Sequence, residues 1–70
     1  MMPLIFADDG AVNVIRSIGG SEEIRHHLNN LGFVVGGTVQ IVSRMGGNVI
    51  VNVKETRVAI DERMAQKIMI

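Results

Sequence analysis

The side chains best suited to binding a metal ion lie in one short run of this chain. His26 and His27 are its two histidines, and Glu22 and Glu23 stand four residues before them. Residues four apart share one face of a helix, so Glu22/His26 and Glu23/His27 would each present two ligands to Fe²⁺ or another divalent transition metal. The consecutive histidines point about 100° apart and cannot chelate one ion together. The same pattern also fits a solvated helix face with ion-pair support, and both interpretations stay open.

The remaining reactive residues do not predict an enzyme. The chain has no cysteine, which excludes disulfides, thiolate metal sites and a cysteine nucleophile. Asp8 and Asp9 precede Gly10 in an ordinary turn pattern, and Asp61 before Glu62 suits a helix cap. No nucleophile stands beside a base in a recognisable pattern, so we expect no catalytic residues.

One amphipathic helix is predicted over residues 22–31. Ser21 precedes it as a cap whose hydroxyl accepts from the first turn, and Glu22 and Glu23 place negative charge at the positive end of the helix dipole. Gly32 follows, where a left-handed residue ends a helix. The helix has an apolar stripe whose residues are four and three apart: Ile24, Leu28 and Leu31.

Almost everything else has strand or turn character. Glycine pairs separate short runs rich in Val and Ile, which favour pleated sheets. We expect strands over residues 11–18, 38–44, 48–53, 56–61 and 67–70, with tight turns at Gly46-Gly47 and Lys54-Glu55 and a single helical turn over 61–66. In the first strand Val12, Val14 and Ile18 would share one side; in the second, Val39 and Ile41 would oppose Thr38, Gln40 and Arg44.

This order predicts a mainly β domain, a small SH3-like barrel of about five antiparallel strands with one α-helix inserted after the first strand. Closing the sheet protects its edges, and the helix would plug one open end. Seventy residues make one domain, residues 1–70.

Charge and hydropathy narrow the possible partners. Seven basic and seven acidic residues give zero net charge, and the aromatic residues are two phenylalanines, so neither electrostatics nor stacking favours nucleic acid. No apolar run is long enough to cross a membrane, and the start lacks the basic leader of a signal peptide. These features predict a cytoplasmic protein without direct membrane insertion. Zero net charge also favours weak self-association.

Several motifs together resemble one family along almost the whole chain. They are Leu4-x-x-Ala7-x-x-Gly10, Ile18-Gly19-Gly20, Arg25-x-x-Leu28-x-x-Leu31-Gly32-Phe33-x-x-Gly36-x-x-Val39 and Val58-Ala59-Ile60. Their order and spacing resemble FeoA, the small cytoplasmic proteins associated with bacterial ferrous iron uptake. The chain has Val35 where that family often has proline, Gly47-Asn48 where it often has glycine-proline, and Ala7 where it usually has leucine.

The resemblance implies an SH3-like barrel with an accessory role beside FeoB, the membrane iron transporter that has a cytoplasmic GTP-binding domain. FeoA-type domains are also similar to the C-terminal SH3-like domain of iron-dependent repressors. The resemblance therefore implies two alternatives, an interaction module that binds the transporter and a domain that senses a transition-metal ion.

The last residue of the predicted helix and the segment that follows it form the predicted partner-binding surface. It comprises Leu31, Gly32, Phe33, Val34, Val35 and Gly36, and we call residues 31–36 the helix-exit loop. Its apolar cluster would leave a contiguous patch exposed, which usually marks a contact surface. Alternatively, Phe33 packs into the core and Val34 and Val35 are only partly exposed. The sequence leaves both possibilities open.

Overall fold

The structure, a computed structural model, describes all 70 residues of the chain. Its elements, in chain order, are a 3₁₀ helix (Leu4–Phe6), β1 (Val12–Val14), β2 (Ser17–Ile18), α1 (Glu22–Leu31), β3 (Thr38–Met45), β4 (Asn48–Val53), β5 (Thr56–Asp61), α2 (Glu62–Ala65) and β6 (Ile68–Met69). The prediction of a mainly β, antiparallel fold with one substantial helix is confirmed. The short turn predicted before the last strand is the four-residue helix α2.

The strands form two sheets. One has four strands in the order β1-β3-β4-β5, and the other pairs β2 with β6. All pairings are antiparallel, and tight two-residue turns join β3 to β4 and β4 to β5. The hydrogen-bond ladder therefore does not run unbroken around the barrel.

The first strand was predicted as one run, and this is wrong. Ile15 and Arg16 interrupt it, and the chain passes there from the four-stranded sheet to the two-stranded sheet. Ile15 is fully buried, and the amide of Arg16 donates to the carbonyl of Met69 at 2.8 Å. Because Ile15 enters the core, Val12 and Val14 on the preceding strand face outward.

Helix α1 has the predicted ends and the predicted packing. The Ser21 hydroxyl accepts from the amide of Ile24 at 3.2 Å, and Gly32 ends the helix with a φ of 109°. Leu28 is fully buried, while Ile24 and Leu31 are half-buried against the core. The apolar stripe therefore packs against the hydrophobic core, as the spacing predicts.

An irregularity in β3 changes which side of the sheet Arg44 occupies. The register with β4 shifts between Ile41 and Ser43, and Arg44 then lies opposite Val49, which is buried. Directly opposite residues project from the same face, so Arg44 lies on the core side of the sheet and not with Thr38, as the simple alternation predicts.

Arg44 uses this position to hold the N-terminal segment. Its guanidinium donates to the carbonyls of Ile5 and Ala7 at 2.6 and 2.7 Å and to Asp9 Oδ1 at 2.9 Å. The amide of Gly10 also donates to the carbonyl of Ile41 at 2.8 Å. Residues 5–10 are therefore held against β3.

The core contains only hydrophobic side chains. Fourteen residues are buried, none of them polar or charged, and Phe33 is the largest. No buried side-chain nitrogen or oxygen lacks a hydrogen-bond partner. Chemistry and recognition must therefore depend on groups at the surface.

Candidate functional site

The helix-exit loop begins with a well-defined helix end. The amide of Gly32 donates to the carbonyl of Asn29 at 3.0 Å, and the amide of Phe33 donates to the carbonyl of Leu28 at 3.0 Å. This is the hydrogen-bond pattern of a Schellman motif, in which a hydrophobic contact usually accompanies the turn. Phe33 and Leu28 are both fully buried. The Phe33 side chain therefore anchors the loop in the core and does not lie on the protein surface.

Backbone hydrogen bonds fix the rest of the loop. The amide of Gly36 donates to the carbonyl of Ile15 at 2.8 Å, and the amide of Ile15 donates to the carbonyl of Gly37 at 2.8 Å. A further bond joins the Gly37 amide to the Val34 carbonyl at 3.0 Å. Val34 is half-buried and Val35 is 65% exposed. Val35 is thus an apolar side chain held in water by an ordered backbone.

Strand β1 also carries exposed apolar side chains. Val12 and Val14 lie two residues apart on its outer face and are 64% and 48% exposed. Ile15, the neighbour of Val14, bonds to Gly36, the neighbour of Val35. We call Val12, Val14 and Val35 the valine patch.

The sequence prediction did not include Val12 and Val14 in the partner-binding surface. The adjacent apolar pair Val14 and Ile15 indicated that one apolar side chain would be exposed here. Neighbouring residues of a strand project to opposite faces, so only one of the two can enter the core. The sequence does not say which one, because the outcome depends on the bonds between Ile15 and the helix-exit loop.

The predicted metal-binding residues lie on the exposed face of α1. His26 Nε2 is 3.7 Å from Glu22 Oε1, and the two side chains are 73% and 82% exposed. No comparable contact joins Glu23 and His27, and no group of three or more His, Asp or Glu side chains is arranged to hold a metal ion. The structure therefore brings together one two-donor pair, which falls short of a complete site within this chain.

The fold and surface define a small SH3-like domain. Residues 2–70 match the model of the family described as FeoA domain, and the chain belongs to that family. FeoA proteins are accessory proteins of ferrous iron transport, so the resemblance seen in the sequence is confirmed. No helix combines the length and the apolar character needed to cross a membrane.

Individual relatives agree with this assignment. A Methanocaldococcus jannaschii protein named "Putative Fe(2+) transport protein A" is 29% identical over 70 residues, which cover 100% of this chain and 85% of the relative. A crystal structure of an iron uptake regulatory protein, FeoA, has a TM-score of 0.88 at 29% identity, covering 97% of this chain and 90% of that one. The FeoA of Stenotrophomonas maltophilia, solved in complex with zinc and described as a procaryotic SH3 domain protein, has a TM-score of 0.84 at 27% identity, covering 99% and 88%.

The same fold also occurs in a metal-dependent regulator. A manganese-dependent transcriptional repressor superimposes with a TM-score of 0.85 at 17% identity, covering 94% of this chain and 38% of that one. At this level of identity the likeness concerns the fold alone.

Proposed function

We propose that this domain is a non-catalytic accessory module of ferrous iron uptake that binds the cytoplasmic part of a FeoB-type membrane transporter. Membership of the FeoA family supports the transport role. The partner surface is the helix-exit loop, whose exposed apolar side chains are Val35 and, in part, Leu31 and Val34. The domain acts in the cytoplasm and contributes no catalytic group.

The observation that carries this proposal is the exposure of Val35 on a fixed backbone. Backbone groups on either side of Val35 are hydrogen-bonded to Ile15 and within the loop. The loop is therefore already ordered before a partner binds. Binding to a preorganised surface avoids the entropic cost of ordering it. Such a module changes transport only if it binds one state of the transporter more tightly than another.

The test is a Val35→Asp variant. Because Val35 is 65% exposed, the melting temperature should change little, while a charge placed in an apolar contact should weaken binding at least about tenfold. Affinity is measured by calorimetry against the detergent-solubilised full-length transporter. Met45→Asp is the matched control, since Met45 is 71% exposed and lies at the opposite end of β3 from the loop. Unchanged affinity of Val35→Asp would contradict the docking surface.

A second candidate function is binding of a divalent transition metal such as Fe²⁺. The observation that favours it is the 3.7 Å approach of His26 Nε2 to Glu22 Oε1. These two groups supply an imidazole nitrogen and a carboxylate oxygen, and water molecules or groups from another molecule must complete the coordination.

Titration with Fe²⁺, Mn²⁺ and Zn²⁺ while recording amide chemical shifts tests this alternative. Saturable shifts confined to residues 22–27 are expected, and His26→Asn should abolish them. His27→Asn is the control, because His27 has no carboxylate contact in the structure. Equal loss in both variants, or no localised shifts at all, would rule out the Glu22–His26 site.

A further inference from the structure

A cleft lies near the N-terminal end of α1, whereas the helix-exit loop lies at its C-terminal end. The cleft has a volume of about 230 Å³ and opens between the start of α1 and the segment around α2. Ile24, in the first turn of α1, and Leu31, its last residue, are seven residues apart, or about 10 Å along the helix axis. The cleft is therefore separate from the helix-exit loop. Its lining residues are Ile24, Asp61, Arg63, Met64 and Lys67.

The apolar part of the lining is formed by Ile24 and Met64. Both are half-buried and pack against the hydrophobic core, so each presents part of its side chain to the cleft. Met is unbranched and polarisable and adapts to ligands of different shape. This surface suits an aliphatic side chain.

The charged part of the lining has an excess of unpaired positive charge. The carboxylate of Asp61 accepts from the Met64 amide at 2.8 Å and caps α2. Arg63 and Lys67 are exposed, and neither forms an ion pair; the two ion pairs of the structure lie elsewhere, at His26–Glu22 and Arg44–Asp9. The lining therefore carries two cationic side chains and one carboxylate, and this net charge of +1 favours an anionic ligand.

The backbone fixes the position of Lys67. Its carbonyl accepts from the Gly19 amide at 2.7 Å, and its amide donates to the Met64 carbonyl at 3.0 Å. Gly20 lies beside it, where a Cβ would come within 3.3 Å of Ile24 and 3.6 Å of Lys67 Cδ. The lysine stem thus runs near Ile24, and the Lys67 side chain as a whole is exposed to solvent.

We propose that this cleft binds an extended acidic segment of a protein partner in which an aliphatic side chain stands next to carboxylates. The aliphatic side chain packs on Ile24 and Met64, and the carboxylates pair with Arg63 and Lys67. The net positive charge of the cleft favours an acidic segment over a basic one. The site goes beyond the proposed function, because it shares no residue with the helix-exit loop.

The probe is the acetylated and amidated pentapeptide Asp-Leu-Asp-Leu-Asp, titrated into the isotope-labelled full chain. We expect localised shifts at Ile24, Met64 and Lys67, and affinity that falls as salt is raised. Two control peptides separate the two halves of the recognition. Lys-Leu-Lys-Leu-Lys reverses the charge, and Asp-Ser-Asp-Ser-Asp removes the aliphatic groups; both should bind at least about tenfold more weakly.

The double variant Arg63→Glu, Lys67→Glu should also bind the acidic peptide at least about tenfold more weakly. The double variant Arg16→Glu, Arg57→Glu makes the same change in net charge at exposed positions outside the cleft and should bind normally.

Equal affinities of the two double variants would overturn the proposal, as would equal binding of the lysine peptide. Cleft shifts that appear on concentrating the protein alone would assign the cleft to a second copy and also overturn it. Val35 does not line the cleft, so Val35→Asp should bind the acidic peptide normally. The outcome of this test therefore does not depend on the transporter proposal.

Discussion

At the residue scale, two hairpin turns with the same shape use very different residues. The turn between β3 and β4 has Gly46 and Gly47 at φ values of 52° and 86°, and the turn between β4 and β5 has Lys54 and Glu55 at 49° and 61°. Two-residue hairpins favour positive φ at both central positions, which glycine adopts readily. A side chain in the left-handed region costs about 1–2 kcal/mol. The second hairpin therefore carries backbone strain that the first avoids.

Replacing Glu55 by glycine should relieve part of this strain. Glu55→Gly should raise the free energy of unfolding by about 1 kcal/mol, which corresponds to about 4–8 °C in melting temperature for a domain of this size. Thermal and urea unfolding measure the change. Glu55→Ala is the control, because alanine removes the charged group but keeps the Cβ, and it should give little gain. A lower melting temperature for Glu55→Gly would show that the turn is not strained.

At the element scale, α1 was predictable because its signals are local. The cap at Ser21, the apolar spacing and the terminal glycine all lie within twelve residues, and the structure reproduces each one. The break at Ile15 and the register shift in β3 were not predictable, because each depends on a distant partner. Ile15 turns inward where it bonds to Gly36 and Gly37, and the shift in β3 appears only when β4 is paired with it.

In the candidate site, too, local sequence patterns were predictive and features that depend on distant residues were not. The sequence located the helix-exit loop, since an apolar run after a helix-ending glycine is a local pattern. It did not decide that Phe33 is fully buried while Val35 is 65% exposed, because that division follows from where the loop meets β1. The contribution of β1 to the valine patch was missed for the same reason.

The packing of α1 against the core can be tested at Leu28. Leu28→Ala should lower the free energy of unfolding by about 2–5 kcal/mol, because the side chain is fully buried and its removal leaves a cavity. Such a loss is a large fraction of the stability of a small domain. Urea denaturation measures it, with Asn30→Ala as an exposed control on the same helix. A loss below about 1 kcal/mol would show that α1 is not essential to the core.

The attachment of the N-terminal segment depends on Arg44. Arg44→Met should lower the free energy of unfolding by about 1–3 kcal/mol, because the carbonyls of Ile5 and Ala7 lose a charged donor. Asp9→Asn removes only the exposed ion pair and should cost less than about 1 kcal/mol. Chemical denaturation compares the two variants, and amide hydrogen exchange over residues 5–10 locates the effect. A larger loss in Asp9→Asn would contradict the dominance of the carbonyl contacts.

At the scale of the whole molecule, zero net charge combines with an open sheet edge. No long-range repulsion separates two copies of the chain. Strand β1 has a neighbour on one side only, and its outward Val12 and Val14 are 64% and 48% exposed. An uncharged edge with apolar side chains is a template for pairing with another strand. We therefore expect weak self-association through β1 at high protein concentration.

A lysine on this edge should suppress the association. Val12→Lys leaves the core untouched, because Val12 faces outward, and should change the free energy of unfolding by less than about 0.5 kcal/mol. Sedimentation velocity over a range of protein concentrations measures association. Met45→Lys adds the same charge at the end of β3, an inner strand of the sheet, where Met45 is 71% exposed, and separates net charge from the edge itself. If β1 pairs with a second copy, only Val12→Lys remains monomeric at high concentration. Equal suppression by both variants would instead assign the association to the absence of net charge.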